Sequence, residues 1–427
     1  MKWDGKFAAL AVRGFLAAIG IARMLVIIRI VPLADYALIG LVESIRSLAG
    51  SWLGLGIVES LGREGGIETD RQRFSVLAWS TLIIAGGLSV LAGVVLGVAA
   101  WLCPSWYDEP RIAVPLFIAI LVTITEKIWS VVTTIVRVRL GASGYFRAVI
   151  AVGVIGSLLA VGLTWRYGIN GYFHALWLCN VIVIALFSRV VARELGSLST
   201  VNSFTTFKTA ARDLWEVSWF VYTFKMSGEM WKRLPIVLAG SYMDKAVLGA
   251  FLAAMDMVGK IQIVNQSLWP LLGPRLAGLF ASNPREFRVK AKREIFEIGG
   301  LNVAVVCLAL GAWAVAGGLL VGDERWLAIG STFYLAMAVE VTVAVPFILN
   351  MCVLVPSSAL SNIAVPTIFI RASSVVLLVI LIELAVPEHL QLPLAIAAPG
   401  AMVAAWYTVV TRNKLRTLAN ELGPPAF

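Results

Sequence analysis

Long apolar runs separated by short polar breaks repeat along the whole 427-residue chain. A helix needs about 20 apolar residues to cross the roughly 30 Å hydrocarbon core of a bilayer, and these runs reach that length. The pattern predicts twelve membrane-spanning helices, at residues 7–31, 36–62, 74–102, 111–136, 147–166, 168–191, 214–240, 245–281, 296–320, 326–354, 362–386 and 389–411. The first run contains Arg13 and continues past Ile30, so we expect an uncleaved span rather than a signal peptide.

The overall composition agrees with this pattern. Hydrophobic residues make up 59% of the chain and charged residues only 14%, whereas a soluble domain usually carries about 25% charged residues. The sequence therefore predicts an all-α polytopic membrane protein.

The basic residues indicate how the helices are oriented. If both termini are cytoplasmic, twenty Lys and Arg residues lie in inside segments, and only Arg111, Arg166, Lys245 and Arg325 lie outside. Such an imbalance is typical of multi-pass proteins, whose cytoplasmic loops are rich in Lys and Arg. We expect a multi-pass protein of a bacterial inner membrane. Its formal net charge of +10 suits anionic membrane lipids as partners, and nothing indicates nucleic-acid binding.

Two longer cytoplasmic breaks, near 192–213 and 282–295, suggest how the chain is divided. We expect an N-terminal six-helix lobe at 1–195, a cytoplasmic linker at 196–213 and a C-terminal six-helix lobe at 214–427. The segments 28–50 and 237–260 share a weak pattern, with an Asp in a short break and a basic residue in the helix that follows. Two repeats with a binding site at the membrane midplane are common among transporters. Chance similarity between two apolar hairpins is the alternative.

Charged residues inside the predicted spans are the strongest functional signal. Charges at such depths almost always face a water-filled pathway or a partner of opposite charge. With a rise of 1.5 Å per residue, five cations on five spans lie roughly 13–22 Å into the membrane: Arg46, Lys127, Lys225, Lys260 and Arg371. Arg13 and Arg23 share the first span and have no acidic residue nearby on it.

These positions predict an anion-binding site. Guanidinium groups bind phosphate oxygens in bidentate fashion, so a phosphate or diphosphate fits best. The candidate substrate-binding residues are Arg13, Arg23, Arg46, Lys225, Lys260 and Arg371, and the candidates for ion coupling or charge pairing are Glu43, Glu229, Asp256 and Glu340. Glu43–Arg46 and Asp256–Lys260 have helical spacing, so the alternative is that such pairs only neutralise each other.

Catalytic and metal chemistry is not indicated. Cys103, Cys179, Cys307 and Cys352 lack metal-ligand spacing, and a small apolar packing role accounts for them. The sequence shows neither a nucleophile–base set nor a phosphate-cradling glycine loop. We expect no enzyme activity, no cofactor and no metal.

Two stretches resemble a known family: "ARMLVIIRIVPLADYALIGLVESIRSLAGSWLGLGIVESLGR" (22–63) and "LAGSYMDKAVLGAFLAAMDMVGKIQIVNQSLWPLLGPRLAGLF" (238–280). They are similar to polysaccharide and O-antigen flippases of the multidrug/oligosaccharidyl-lipid/polysaccharide exporter (MOP) superfamily, although Ala37 stands where that family commonly has Gly. Essential arginines of the related lipid II flippases lie at places comparable to Arg23, Arg46 and Lys260. The match of Arg13 to a further family arginine is looser.

The resemblance implies two six-helix lobes around a central cationic cavity that opens alternately to each side of the membrane. It also implies a polyprenyl-diphosphate-linked oligosaccharide as substrate. Coupling to Na⁺ or H⁺ and a polysaccharide polymerase or ligase as partner stay open at this point. Two alternatives stay open. One is a multidrug cation antiporter of the same fold, and the other is a membrane-embedded polysaccharide ligase or polymerase.

Overall fold

The computed structural model describes residues 3–68, 70–196, 204–354, 356–357 and 361–422. Within these ranges every regular element is helical and no strand occurs. The all-α fold class predicted from the apolar runs is therefore confirmed.

Twelve α-helices follow one another in the described ranges, and each predicted span coincides with one or two of them or with part of α5. They are α1 (Trp3–Ile30), α2 (Leu33–Trp52), α3 (Ile57–Ile67), α4 (Arg71–Trp106), α5 (Ala113–Leu195), α6 (Phe204–Ala239), α7 (Lys245–Gly259), α8 (Ile263–Ser282), α9 (Pro284–Val321), α10 (Asp323–Leu349), α11 (Ser361–Glu383) and α12 (Glu388–Leu422). Short 3₁₀ turns lie at Pro110–Ile112 and Lys260–Gln262, and a π-helical segment lies at Asn350–Leu354.

The long helix α5 covers three of the predicted spans. It is not one straight helix, because two glycines interrupt it. Gly141 has φ 69° and Gly168 has φ 58°. This left-handed conformation is accessible to glycine without the steric cost that a Cβ would bring. The interruptions separate the predicted spans 111–136, 147–166 and 168–191.

Two predicted spans are not continuous helices, which corrects the sequence-based expectation for 36–62 and 245–281. The first is broken between α2 and α3, where Leu55 and Gly56 have positive φ values, and the two helices are bent by 55°. The hydroxyl of Tyr222 on α6 donates a hydrogen bond of 2.9 Å to the carbonyl of Trp52 at this break. The second is interrupted by the 3₁₀ turn Lys260–Gln262.

Helix length and hydropathy indicate a membrane protein. In the described ranges seven helices are long and apolar enough to cross a membrane, or eight if the bent pair α2–α3 is one span. Ser143–Leu195 counts once among them although Gly168 divides it. The chain is therefore a multi-pass membrane protein, while the total of twelve crossings and the cytoplasmic location of both termini stay predictions.

Contacts between residues divide the chain into two compact units. We call Ile30–Lys245 the middle unit, and Met1–Arg29 together with Ala246–Phe427 the terminal unit. Helix α1 thus groups with the C-terminal part of the chain. This grouping differs from the lobes expected at 1–195 and 214–427, and that division stays a prediction.

Each unit has its own buried apolar cluster. In the middle unit α4 packs along α5 and α2 packs against α6, and the cluster includes Leu61, Phe74 and Ile135. In the terminal unit α10 and α11 pack on α12, and a cluster formed by α8, α9, α12 and the π-helical segment includes Phe287 and Leu415.

Candidate functional site

The guanidinium of Arg46 is held between two carboxylates in the middle unit. Arg46 on α2 donates to Oε2 of Glu43 from Nε at 3.1 Å and from Nη2 at 2.7 Å, and its Nη1 donates to Glu126 on α5. The Arg46 and Glu43 side chains are 14% and 18% exposed, whereas Glu126 is 50% exposed. The pairing of Glu43 with Arg46 expected from their spacing is present. Its consequence is that the charge of Arg46 is already compensated within the protein.

The cluster extends to α6 through Glu229. Its Oε2 accepts a hydrogen bond of 2.9 Å from the hydroxyl of Ser47 and lies 3.6 Å from Nε of Arg233. Ser47 follows Arg46 directly, so α2 presents its polar groups to both α5 and α6. These contacts join three helices of the middle unit through charged and polar side chains.

Lys260 and Arg23 form a different arrangement in the terminal unit. The stem of Lys260, on the 3₁₀ turn between α7 and α8, lies over Gly20 of α1, where an added Cβ would be 3.5 Å from Cε of Lys260. Arg23 lies three residues further along α1, on the same face of the helix. Lys260 is attracted electrostatically by the exposed Asp256 and, less strongly, repelled by Arg23. Two cations are thus brought together, and in the described part of the chain Arg23 takes part in no salt bridge.

The same 3₁₀ turn also contacts a buried carboxylate. Glu340 on α10 is 4% exposed. The side-chain amide of Gln262 donates to the backbone carbonyl of Glu340 at 3.0 Å and to its Oε2 at 3.2 Å. Lys260 and Gln262, the hydrogen-bond donor to the buried Glu340, therefore lie two residues apart at the interruption between α7 and α8. Interruptions of this kind often mark functional hinges.

Arg371 on α11 lies beside Tyr407 of α12 in the interior of the terminal unit. Tyr407 is fully buried, and its hydroxyl accepts a hydrogen bond of 3.3 Å from Thr367. The arrangement places a guanidinium in a protein interior, which is consistent with an anion-binding or a structural role.

Arg13 and Lys225 lie on α1 and α6 respectively, but their side chains fall outside the described part of the structure. Their assignment to the anion site stays a prediction.

Ion pairs at the predicted outer face of the middle unit were not anticipated from the sequence. Arg111 donates to Asp35 at 2.8 Å and to both oxygens of Glu109 at 2.8 and 3.0 Å. These hydrogen bonds from Arg111 hold the pKa of the Glu109 carboxyl below its ordinary value. Arg111 thereby links the start of α2 to the connection between α4 and α5.

Across the ranges that the structure describes, no group of three or more His, Cys, Asp or Glu side chains could hold a metal ion. Of the four free cysteines, Cys103, Cys179 and Cys352 are buried and Cys307 is exposed.

Comparisons with known proteins point to one group of membrane transporters. Residues 26–296 match the profile of a family described as "Polysaccharide biosynthesis protein". No curated protein sequence matches significantly.

Solved structures share the fold over nearly the whole chain. The inward-facing form of a multidrug resistance MATE family transporter of the MOP superfamily has a TM-score of 0.70 at 12% identity, over 96% of this chain and 99% of that one. Lipid II flippase MurJ in an inward closed conformation has a TM-score of 0.65 at 10% identity, over 96% and 91%. A MOP superfamily transporter from Pyrococcus furiosus, described by a binding pocket of reverse polarity, has a TM-score of 0.61 at 16% identity, over 96% of each chain.

Proposed function

The chain belongs to the polysaccharide biosynthesis protein family, and on that premise we propose that it is a flippase for a polyprenyl-diphosphate-linked oligosaccharide. The family and the MOP superfamily fold make it a membrane transporter or flippase, as the sequence resemblance indicated. The proposal adds the substrate and the direction, from the cytoplasmic to the periplasmic leaflet of a bacterial inner membrane. The substrate would be a polysaccharide or O-antigen repeat unit.

The observation that carries the proposal is the juxtaposition of Arg23 and Lys260. Two like charges in membrane-spanning helices repel each other. Asp256 attracts Lys260, and an anion bound to both cations would further lower the cost of their proximity. A diphosphate carries several oxygens that a guanidinium and an ammonium can bind together. The position of Lys260 at a helix interruption is also typical of transporter binding sites, which use broken helices.

The position of Arg46 within its predicted span made it a candidate substrate ligand, but its contacts in the structure give it a different role in this proposal. With Glu43 and Glu126 bound to it, Arg46 can accept a substrate anion only by exchanging a carboxylate for it. We therefore assign the first contact with the diphosphate to Arg23 and Lys260, and keep Arg46, Arg371, Arg13 and Lys225 as further candidates.

In the proposed cycle the lipid tail stays in the bilayer while the diphosphate and its sugars cross by alternating access. A membrane potential that is negative inside favours outward movement of the anionic headgroup, by about 2.3 kcal/mol per charge per 100 mV. Na⁺ or H⁺ coupling would act at an acidic group. The buried Glu340 is the leading candidate, ahead of Glu43, Glu229 and Asp256. A polysaccharide polymerase or ligase would receive the product.

The second candidate is a multidrug cation antiporter, the function named for one of the structural relatives. The partly buried Glu43 and the buried Glu340 are the observation that favours it, because a cationic drug needs acidic partners. Against it stand Arg23 and Lys260, which would repel such a substrate. A polysaccharide ligase or polymerase is the weakest alternative, because the structural relatives described above are transporters or flippases rather than enzymes.

The test is transport in liposomes that contain the purified protein and a fluorescent polyprenyl-diphosphate oligosaccharide. Wild type should move the lipid. Arg23→Ala and Lys260→Met should each lower the initial rate by at least about tenfold, which is the loss expected when one charged hydrogen bond is removed. Lys260→Arg should retain most of the wild-type rate. Arg189→Ala, which removes an exposed cation on α5, is the matched control and should transport normally.

Each outcome decides between the candidates. If wild type moves a cationic dye against a Na⁺ or H⁺ gradient but not the diphosphate lipid, the antiporter is correct. If folded Arg23→Ala and Lys260→Met proteins transport the lipid at the wild-type rate, the site assignment is wrong.

A further inference from the structure

One face of α9 is exposed along most of the helix. It carries cations near the start of the helix and only apolar side chains further along. Val289, Phe296 and Val303 are 60%, 79% and 63% exposed, and Arg285 and Lys292 are exposed as well. Their spacings of four, three, four and seven residues place all five within about 60° of one another around a helix with 3.6 residues per turn. We call this row the α9 stripe.

The α9 stripe combines a lipid-facing surface with cations. Beyond Val303 the row continues with the exposed Cys307. Leu308 and Val315, about 120–140° around α9 from Arg285, are 72% and 90% exposed, as expected where a spanning helix faces acyl chains. Arg285 and Lys292 continue the same row toward the start of α9, which the distribution of Lys and Arg places at the cytoplasmic side. A lipid whose tail lies against the apolar part therefore brings its headgroup to the basic part.

In the described part of the chain Arg285 and Lys292 take part in no salt bridge, and the exposed Glu286 beside Arg285 accepts a hydrogen bond from Asn283. Arg293, beside the stripe, is paired with Glu297 at 2.5 Å, so that acid is already engaged. The end of α12 contributes exposed Arg412 and Arg416, and Leu415 between them lies in the same buried cluster as Phe287 of α9. The cytoplasmic end of the terminal unit thus presents cations from two helices around one apolar cluster.

We propose that the α9 stripe is a binding site for acidic phospholipids of the cytoplasmic leaflet, with Arg285 and Lys292 contacting the phosphodiester headgroup. The ligand class follows from charge complementarity and from continuity with the lipid-facing surface. Each Lys or Arg near an anionic leaflet contributes about a fivefold preference for acidic lipid. This binding goes beyond the proposed transport of an oligosaccharide and does not depend on it.

Cys307 provides a direct readout because it lies on the same face of α9 and is exposed, whereas Cys103, Cys179 and Cys352 are buried. A bimane label on Cys307 lies about 22 Å along the helix from Lys292, among the acyl chains of a lipid bound at the stripe. The full-length labelled protein is reconstituted in phosphatidylcholine bilayers that contain dibrominated phosphatidylglycerol or, at equal mole fraction, dibrominated phosphatidylcholine. Quenching by the two lipids yields their relative binding constant.

Wild type should prefer phosphatidylglycerol at least about fivefold. Arg285→Gln/Lys292→Gln should bring the ratio close to one, and the charge-conserving Arg285→Lys/Lys292→Arg should retain it. The matched control is Lys208→Gln/Arg212→Gln, which removes two exposed cations from α6 of the middle unit and should keep the wild-type preference.

Four results would overturn the proposal. They are equal quenching by both lipids in wild type, an unchanged preference in the double Gln variant, an equal loss in the α6 control, and abolition of the preference by an excess of inorganic phosphate, which would indicate a free-anion site. Displacement of phosphatidylglycerol by a polyprenyl diphosphate lipid would instead assign the α9 stripe to the transported substrate.

Discussion

Replacing Arg46 by Gln should destabilise the protein because it leaves two carboxylates without their shared cation. Oε2 of Glu43 accepts two hydrogen bonds from Arg46, and Oε1 of Glu43 is buried without a hydrogen-bond partner among the described residues. Glu43 therefore relies on Arg46 for its stabilising contacts.

The structure allows the contributions of the two ion pairs to be separated. Removing one partner of a buried pair costs about 3–5 kcal/mol, whereas an exposed pair contributes about 0.2–1 kcal/mol. Arg46 and Glu43 are largely buried, but Glu126 is 50% exposed. We expect Arg46→Gln to lower the free energy of unfolding by about 3 kcal/mol and Glu126→Gln by less than about 1 kcal/mol.

The double variant Glu43→Gln/Arg46→Gln is the decisive comparison. It removes both charges together, so its stability should return to within about 1 kcal/mol of wild type, with a coupling energy of about 2–3 kcal/mol in the double-mutant cycle. Equilibrium unfolding in mixed detergent micelles, followed by circular dichroism, measures each free energy. If Arg46→Gln is as stable as wild type, or if the double variant is no more stable than Arg46→Gln, the reasoning is refuted. Transport by the double variant would further show that Arg46 is structural rather than a substrate ligand.

Two further predictions concern other parts of the middle unit. Gly171→Ala should lower stability by about 3 kcal/mol or more, because the added Cβ would lie 1.9 Å from the backbone oxygen of Leu163; unchanged unfolding of this variant would contradict the packing of α5. Since Arg111 lowers the pKa of Glu109, their pair stabilises the fold above the ordinary carboxyl pKa of 4.5, and this stabilisation is lost as pH falls through the lower native value. Glu109→Gln should therefore reduce the fall in thermal midpoint between neutral and acidic pH, and an identical pH profile would show that the pair contributes nothing.

Local sequence patterns were sufficient for much of the fold. The apolar runs predicted where the helices are, and the i, i+3 spacing of Glu43 and Arg46 indicated the ion pair that the structure contains. Both inferences depend only on residues close together in the chain. The hydropathy pattern could not reveal the interruption at Lys260, because a broken helix and a straight one of the same composition have the same average hydropathy.

The order of residues alone was enough to identify a helical membrane protein with charges in its spans, because the transfer of side chains into lipid is a local property that adds along the chain. The partners of each charge, in contrast, became visible only in the packed arrangement of the helices. Glu126 reaches Arg46 from 80 residues away, and the stem of Lys260 lies over Gly20 of α1, one turn from Arg23. Such partners depend on how the helices pack, because the same sequence pattern is compatible with many pairings of residues that are far apart in the chain. That packing separates the compensated Arg46 from the pair of like charges on which the proposed anion site rests.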